Sequence, residues 1–238
     1  MKKVDNEPGQ GEQPEDIEQA GRKYKSAIAE IKAELKKEFG KLPADWSWNR
    51  DRKLPATLSR EECQALMTAY KKGKLAVRNN LIIRTLYATG LRAEEIENLR
   101  FCDIFYDNKT VFVRAGKGDK DRYCAIDRGT LEQLKAWQEG KGLEESVFGI
   151  TLRQIRRVVE GAGEMTGISA KYEAMGRVFS THSMRHAYAT HCYENSMRLP
   201  TLQRFLGHEY ILTTMVYLYT AQRYDVIEYG RTHPLERE

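Results

Sequence analysis

Apolar residues recur at spacings of three and four along the first part of the chain, a period typical of amphipathic helices. The stretch over residues 15–40 follows this period and is followed by proline, so it predicts a long helix. Residues 59–62 read SREE, which is a capping box with Ser59 as the N-cap and Glu62 as its partner. We therefore expect a second helix that runs from there to about Lys72.

The hydrophobic pattern changes its period in the middle of the chain. A buried helix is predicted over residues 75–90, and another starts with RAEEIENL at residues 92–99. Residues 111–114 and 122–126 look like strands, and the Gly, Asp and Lys residues between them indicate a hairpin turn. The helical period returns from residue 129 onward. The predicted fold class is therefore mainly α (α+β), a helical domain with a small antiparallel β-sheet.

Charge, cysteine spacing and the distribution of apolar residues exclude several classes of protein. The chain has 39 Lys and Arg against 34 Asp and Glu, a formal net charge of +5 that is compatible with a polyanionic partner. Its four cysteines show no C-x-x-C spacing, so neither a structural zinc site nor a disulfide framework is expected. The N-terminus lacks the apolar region of a signal peptide, and no stretch of 18 apolar residues could span a membrane. We expect a cytoplasmic protein without membrane attachment.

Imidazole and cationic residues gather at helix starts and turns. Four of the five histidines fall between residues 182 and 208, around the sequence HSMRH. Residues of these types, with one tyrosine, make up the candidate site: Arg92, Lys117, His182, Arg185, His208 and Tyr217. Cationic side chains repel a metal ion, so no metal ligand is predicted here. They suit a phosphate, because guanidinium groups donate in pairs to its oxygens.

The same residue types can carry out chemistry on a phosphodiester. Arginines and histidines neutralise the charge that builds on pentacoordinate phosphorus. A lysine can protonate a departing oxygen, and a tyrosine can attack phosphorus and hold it as a covalent ester. Such an exchange of esters requires no cofactor.

Four blocks of the sequence resemble, in order and spacing, the signature blocks of the tyrosine recombinase family, also called lambda-type phage integrases. They are ATGLRAEEIENLRFCDI (88–104), GKGDKDR (116–122), HSMRHAYATH (182–191) and LGHEYILTTMVY (206–217). A single block such as TGLR or LGH is a weak signal, whereas four in register are specific.

The resemblance implies how the phosphate would be held. Arg92 and Arg185 would clamp the scissile phosphate, and His208 would hydrogen-bond a non-bridging oxygen. His182 would assist proton transfer at the tyrosine. Glu95, one helical turn from Arg92, is similar to the acidic residue that orients the site in the family; the alternative is a first-turn acid that favours the helix dipole.

The resemblance also implies the acid and the nucleophile. Lys117 would be the general acid for the 5′-oxygen leaving group, with Lys120 in the same loop as its competitor. Tyr217 would be the nucleophile, with Tyr210 and Tyr219 as its rivals. Tyr219 should face another way if this segment is helical.

Other interpretations of these residues are structural. Arg92 could be a surface residue at a helix start, and His182 with Arg185 could belong to a capped helix with a buried salt bridge. His186 and His191 are interpreted as structural, because the resemblance does not require imidazole at either position.

The resemblance sets the expected domain organisation. Residues 1–15 are polar and predicted to be disordered. Residues 16–56 would form an N-terminal helix and an arm, a truncated or minimal version of the helical core-binding domain that usually precedes the catalytic domain. Residues 57–220 would form the catalytic domain. Residues 221–238 would form a tail or helix that docks on a neighbouring protomer or on its own domain.

The predicted function is that of a site-specific DNA recombinase or integrase that works through a 3′-phosphotyrosyl intermediate, without metal or ATP. The implied partners are double-stranded DNA with inverted-repeat sites and a homotetramer on that DNA, since exchange between two duplexes needs four active sites. The alternatives are a catalytically idle DNA-binding accessory protein of the same fold and an enzyme that relaxes DNA like a type IB topoisomerase.

Overall fold

The computed structural model describes residues 56–73, 75–114, 121–209, 213–214 and 216–218. Several predictions from the sequence fall outside these residues: the disorder over 1–15, the N-terminal helix with nearly all of the arm, the hairpin turn that contains Lys117, and the tail over 221–238. The secondary structure within the described part confirms the predicted mainly helical fold with a small antiparallel sheet.

Helices account for most of the described residues. The α-helices are α1 (Arg60–Met67), α2 (Ala76–Thr89), α3 (Ala93–Glu97), α4 (Arg128–Gln138), α5 (Leu152–Met165), α6 (Ile168–Ala174), α7 (Thr181–Glu194) and α8 (Leu199–Leu206). Two short 3₁₀ helices, Phe101–Asp103 and Val216–Leu218, also lie in this part of the chain. None of the described helices combines the length and the apolarity that crossing a membrane requires.

The capping box at the start of α1 is present as predicted, but the helix is shorter than expected. The Ser59 hydroxyl accepts from the Glu62 backbone N–H, and the Glu62 carboxylate accepts from the Ser59 N–H. The helix ends at Met67 and does not reach Lys72. The reason is a pair of hydrogen bonds between the backbone of Tyr70 and the side chain of Asn80, which hold the chain on a non-helical path.

The sheet has three antiparallel strands in the order β1-β2-β3. The strands are β1 (Ile104–Phe105), β2 (Thr110–Val113) and β3 (Arg122–Ala125), and Val111 pairs with Cys124 in the β2–β3 register. The sequence predicts β2 and β3 but misses β1, because two residues are too few to show a period. Along β3, burial alternates, so Arg122 and Cys124 face inward.

The core surrounds α2, which packs against α1, α4, α5 and α7. Leu81, Ile82, Ile83 and Leu86 lie on successive faces of α2 and are all buried, as expected of a helix enclosed on most sides. A second apolar cluster joins the last two helices to the final 3₁₀ turn and consists of Tyr188, Ala189, Leu202, Leu206 and Tyr217. This cluster brings the fourth sequence block next to the third.

Candidate active site

Arg92 is positioned by the turn between α2 and α3. Gly90 ends α2 in the left-handed conformation with φ of 66°, and Arg92 then serves as the N-cap of α3. The backbone N–H of Arg92 donates to Oε2 of Glu95 at 2.7 Å, and its Nη1 donates to Oε1 at 3.1 Å. Glu95 therefore holds both the backbone and the guanidinium group of Arg92. A first-turn acid that only favours the helix dipole would need neither contact.

Arg185 joins two of the sequence blocks from inside the protein. It lies on α7 and is 6% exposed. Its Nη1 donates to the Gly90 carbonyl at 2.8 Å, and its Nη2 donates to the Leu206 carbonyl at 2.5 Å. Burial, and then the charge of Arg92, lower the pKa of Arg185 to about 10, so it keeps its positive charge at neutral pH. Its contacts place the turn before Arg92 beside the end of α8.

His208 follows α8 and is held by a buried hydroxyl. Gly207 ends α8 with φ of 65°, and the Nδ1 atom of His208 lies 2.9 Å from Oγ1 of Thr214. Burial is the largest cause that lowers the pKa of His208 to about 3, and the charges of Arg185, Arg92 and Arg122 lower it further. The ring is therefore neutral at pH 7 and offers one N–H as a donor.

Tyr217 lies in the last described turn, and its residue is 2% exposed. Its hydroxyl is 3.2 Å from Nδ1 of His186, and the two rings are 5.8 Å apart between centroids. Burial raises the pKa of Tyr217, and the charge of Arg185 opposes that increase. The hydroxyl therefore keeps its proton at neutral pH, and any attack by this oxygen requires a group that accepts the proton.

His182 occupies a different environment from the other predicted residues. It is on the first turn of α7 and its residue is exposed. Its charge lowers the pKa of His186, after the larger effect of burial, which is consistent with an i,i+4 pair on one helix face. Lys117, the predicted general acid, and its competitor Lys120 both lie outside the described residues.

The structure thus brings five predicted residues into one place: Arg92, Glu95, Arg185, His208 and Tyr217. Contacts link Arg92 to Glu95, and link Arg185 to Gly90 in the first block and to Leu206 in the fourth. The charges of Arg92 and Arg185 lower the pKa of His208, and the charge of Arg185 acts to lower the pKa of Tyr217. These two residues therefore belong to the same group. Residues more than a hundred positions apart in the sequence therefore share one cationic site.

The sequence predicts no functional role for two residues of this site. His186 is interpreted from the sequence as structural, yet the ring of His186 contacts the hydroxyl of Tyr217. Arg122 closes the GKGDKDR block, and its Nη2 donates to Oε2 of Glu95 at 2.8 Å. The alternation along β3, which turns Arg122 inward beside Cys124, is the signal that could have identified it.

Comparison with known proteins is consistent with this geometry. A sequence model described as the phage integrase family matches residues 56–223. A tyrosine recombinase XerA from Thermococcus onnurineus is 32% identical over 165 residues, which cover 69% of this chain and 58% of that protein. A tyrosine recombinase XerC from Corynebacterium glutamicum is 32% identical and covers 66% of this chain and 52% of that protein. The chain thus spans less than two thirds of these relatives.

Solved structures share the fold. A XerH site-specific recombinase bound to a palindromic difH substrate, in a post-cleavage complex, has a TM-score of 0.63 at 25% identity and covers 77% of this chain and 55% of that one. The catalytic domain of bacteriophage HP1 integrase has a TM-score of 0.52 at 21% identity, with 76% of this chain and 97% of that one covered. With a family match that extends over all four sequence blocks, this chain belongs to the phage integrase family.

Proposed function

We propose that the chain is a site-specific DNA recombinase that cleaves and rejoins DNA strands through a 3′-phosphotyrosyl intermediate. The observation that carries the proposal is the grouping of residues from three separate sequence blocks: the charges of Arg92 and Arg185 act on His208, and the charge of Arg185 also acts on Tyr217. The similarity to proteins named tyrosine recombinase XerA and XerC supports it independently.

The first part of the mechanism is the binding of the scissile phosphate. Arg92 is 31% exposed at its side chain and so is within reach of a ligand, while Arg185 supplies charge from a buried position. Both guanidinium groups are oriented before DNA arrives, by Glu95 and by the Gly90 and Leu206 carbonyls. Preorganised donors of this kind stabilise the charge that develops on a phosphorane more than the charge of the starting diester. His208 adds a neutral donor to a non-bridging oxygen.

The second part is the attack of Tyr217 on phosphorus. Its oxygen forms a bond to phosphorus as the bond to the 5′-oxygen breaks, leaving a 3′-phosphotyrosyl ester and a free 5′-hydroxyl. The proton of Tyr217 passes to a histidine; the contact at 3.2 Å supports His186, and the family resemblance supports His182. The 5′-oxygen takes a proton from Lys117, a role that rests on the resemblance and has Lys120 as its competitor.

The third part is rejoining. A 5′-hydroxyl from a second duplex attacks the phosphotyrosyl ester, and Tyr217 leaves with its proton restored. The bond energy stays in the ester, so the cycle uses neither ATP nor a metal ion. Exchange of two pairs of strands needs four such sites, so we propose a homotetramer assembled on DNA with inverted-repeat sites. The similar XerH recombinase is bound to a palindromic difH substrate, which supports this choice.

A suicide substrate tests the proposal. In such a duplex a nick beside the scissile phosphate lets the 5′-hydroxyl fragment diffuse away, so that a covalent protein–DNA adduct accumulates and can be counted on a denaturing gel. We expect adducts from the wild-type chain and from the rival variants Tyr210→Phe and Tyr219→Phe, and none from Tyr217→Phe. Adducts that persist in Tyr217→Phe would exclude this nucleophile, and their absence from the wild-type chain would favour a DNA-binding accessory protein.

A further inference from the structure

A third arginine of the site, Arg122, joins its own strand to the two helices beside which the proposed phosphate-binding residues Arg92 and His208 lie. It is the first residue of β3, and its side chain is 8% exposed. Its Nη2 donates to Oε2 of Glu95 at 2.8 Å, and its Nε donates to the Phe205 carbonyl at 2.9 Å. One guanidinium group therefore ties the start of β3 to α3 and to the end of α8.

The contact with Glu95 bears directly on Arg92. Oε2 of Glu95 accepts from the Arg92 backbone N–H and from Arg122, while Oε1 accepts from the Arg92 guanidinium group. Arg122 therefore holds the carboxylate at the same oxygen that accepts from the Arg92 backbone. Without it, one carboxylate oxygen would lose a charge-assisted bond, and the carboxylate could rotate and carry Arg92 with it.

The second contact bears on His208. The Arg122 guanidinium group lies flat against Gly207, where an added Cβ would be 2.9 Å from its Cζ, Nε and Nη1 atoms. Gly207 directly precedes His208, and Phe205 lies two residues before Gly207. The turn that delivers His208 is therefore packed onto Arg122, and the glycine of the LGH block leaves space for it.

Stability alone does not account for this arginine. Among the described residues, Arg122 Nη1 is the buried side-chain nitrogen for which no hydrogen-bond acceptor is present. A buried donor without an acceptor costs free energy, and a buried ion pair is often no more stable than an apolar pair of the same size. The charge of Arg122 also adds to those that lower the pKa of Arg185 and His208. An arginine buried here at both costs is expected to serve the geometry of the site, through the Glu95 carboxylate and the Phe205 carbonyl that it binds.

We propose that Arg122 is a positioning residue for the reaction, which sets Arg92 through Glu95 and His208 through the Phe205–Gly207 turn. This inference rests on the proposed cleavage of DNA. Arg122 itself does not touch the scissile phosphate; it keeps the groups that do so in the geometry that fits the phosphorane. Its loss therefore slows the chemical step and leaves the affinity for DNA nearly unchanged.

The test compares Arg122→Met and Arg122→Lys with the wild-type chain in single-turnover cleavage of a suicide substrate. We expect Arg122→Met to cleave about 10²-fold more slowly, the loss that a misplaced group causes, with the Kd for DNA changed less than about twofold at fixed salt. Arg122→Lys keeps the charge but lacks the planar pair of donors that reaches Glu95 and Phe205, so it should recover part of the rate. Arg84→Met is the matched control, since Arg84 donates to Thr130 and pairs with Asp127.

A second substrate shows whether the slow cleavage by Arg122→Met comes from misplaced phosphate-binding groups or from a defect of folding. A methylphosphonate at the scissile position replaces one charged oxygen by a neutral methyl group, so less charge must be neutralised in the transition state. The defect of Arg122→Met should shrink to less than about tenfold on this substrate. A wild-type rate for both Arg122 variants, or an equal loss on both substrates, would overturn the inference. A wild-type chain that forms no adduct would instead overturn the proposed function.

Discussion

The hydroxyl of Tyr217 lies 3.2 Å from Nδ1 of His186, one residue after the buried Arg185 on α7. Burial, followed by the charges of His182 and Arg185, lowers the pKa of His186, so its ring is neutral at pH 7 and can accept a hydrogen bond at Nδ1. The proposed nucleophile is thus held next to a proton acceptor, His186, for which the sequence predicts only a structural role.

We expect His186→Gln to slow formation of the covalent adduct by about 10²-fold, because the tyrosine loses the group that takes its proton. His182→Gln is the informative companion, since His182 is exposed on the same helix. Single-turnover rates between pH 6 and 9 should show the loss in His186→Gln becoming smaller as the pH rises, because the small ionised fraction of the tyrosine grows and needs no proton acceptor. A wild-type rate in His186→Gln with a large loss in His182→Gln would return the proton transfer to His182.

Arg185 should be indispensable for cleavage. Replacing it by lysine keeps the charge but removes the paired contacts with the Gly90 and Leu206 carbonyls. We expect Arg185→Lys to cleave the suicide substrate about 10²–10³-fold more slowly, the cost of removing one transition-state donor. Arg100→Lys, which changes an exposed arginine paired with Glu144, should keep the wild-type rate. Equal rates in the two variants would contradict the role of Arg185.

Stability should fall as the pH is lowered below neutrality. Burial lowers the pKa values of His208, His186 and His191 in the folded chain, that of His208 from 6.5 to about 3. The unfolded chain binds protons at these residues near pH 6.5 and the folded chain does not, so acid favours unfolding. Between pH 7 and 5, His208 alone should lower the free energy of unfolding by about 2 kcal/mol at most.

Urea unfolding at several pH values measures this dependence. His208→Gln should reduce its slope, because glutamine binds no proton and can still bond Thr214. A free energy of unfolding that rises between pH 7 and 5, or a slope unchanged in His208→Gln, would contradict the burial of a neutral His208.

Gly90 should be sensitive to substitution for two reasons. Its φ of 66° disfavours a side chain, and a Cβ there would lie 2.3 Å from the ring of Tyr188. Gly140 is a matched control, since its φ is 76° and nothing lies within 4 Å of an added Cβ. We expect Gly140→Ala to cost about 1 kcal/mol and Gly90→Ala to cost about 1–3 kcal/mol more, from overpacking.

Denaturant unfolding of both alanine variants gives the comparison, and cleavage rates add a second readout. Because the Gly90 carbonyl accepts from Arg185, Gly90→Ala should also slow cleavage, whereas Gly140→Ala should not. Equal destabilisation of the two variants would show that the Tyr188 ring moves aside, and that its packing against Gly90 does not limit the side chain at position 90.

Helices whose hydrophobic period extends over many residues could be predicted from the sequence. Elements whose ends depend on tertiary contacts could not. The capping box at Ser59 and the stop at Gly90 are local signals, so both ends could be predicted. The early end of α1 depends on Asn80, which pairs with Tyr70 from another helix. The strand β1 is too short for an alternating pattern and depends on pairing with β2.

The site shows the same division. Arg92, Arg185, His208 and Tyr217 lie in recognisable blocks, so the sequence could propose them as a group. The contact between His186 and Tyr217 and the sharing of Glu95 by two arginines depend on how α7 and β3 pack, which spacing along the chain does not encode. Side-chain alternation on β3 marks Arg122 as inward but does not reveal what it meets there.

The most direct measurement is the identification of the residue that holds DNA after cleavage. The adduct formed with a suicide substrate would be digested with protease and nuclease, and the peptide that retains a nucleotide would be sequenced by mass spectrometry. We predict a nucleotide joined through its 3′-phosphate to the Tyr217 oxygen, with a free 5′-hydroxyl on the released strand. A nucleotide on another residue, or one joined through a 5′-phosphate, would contradict this account.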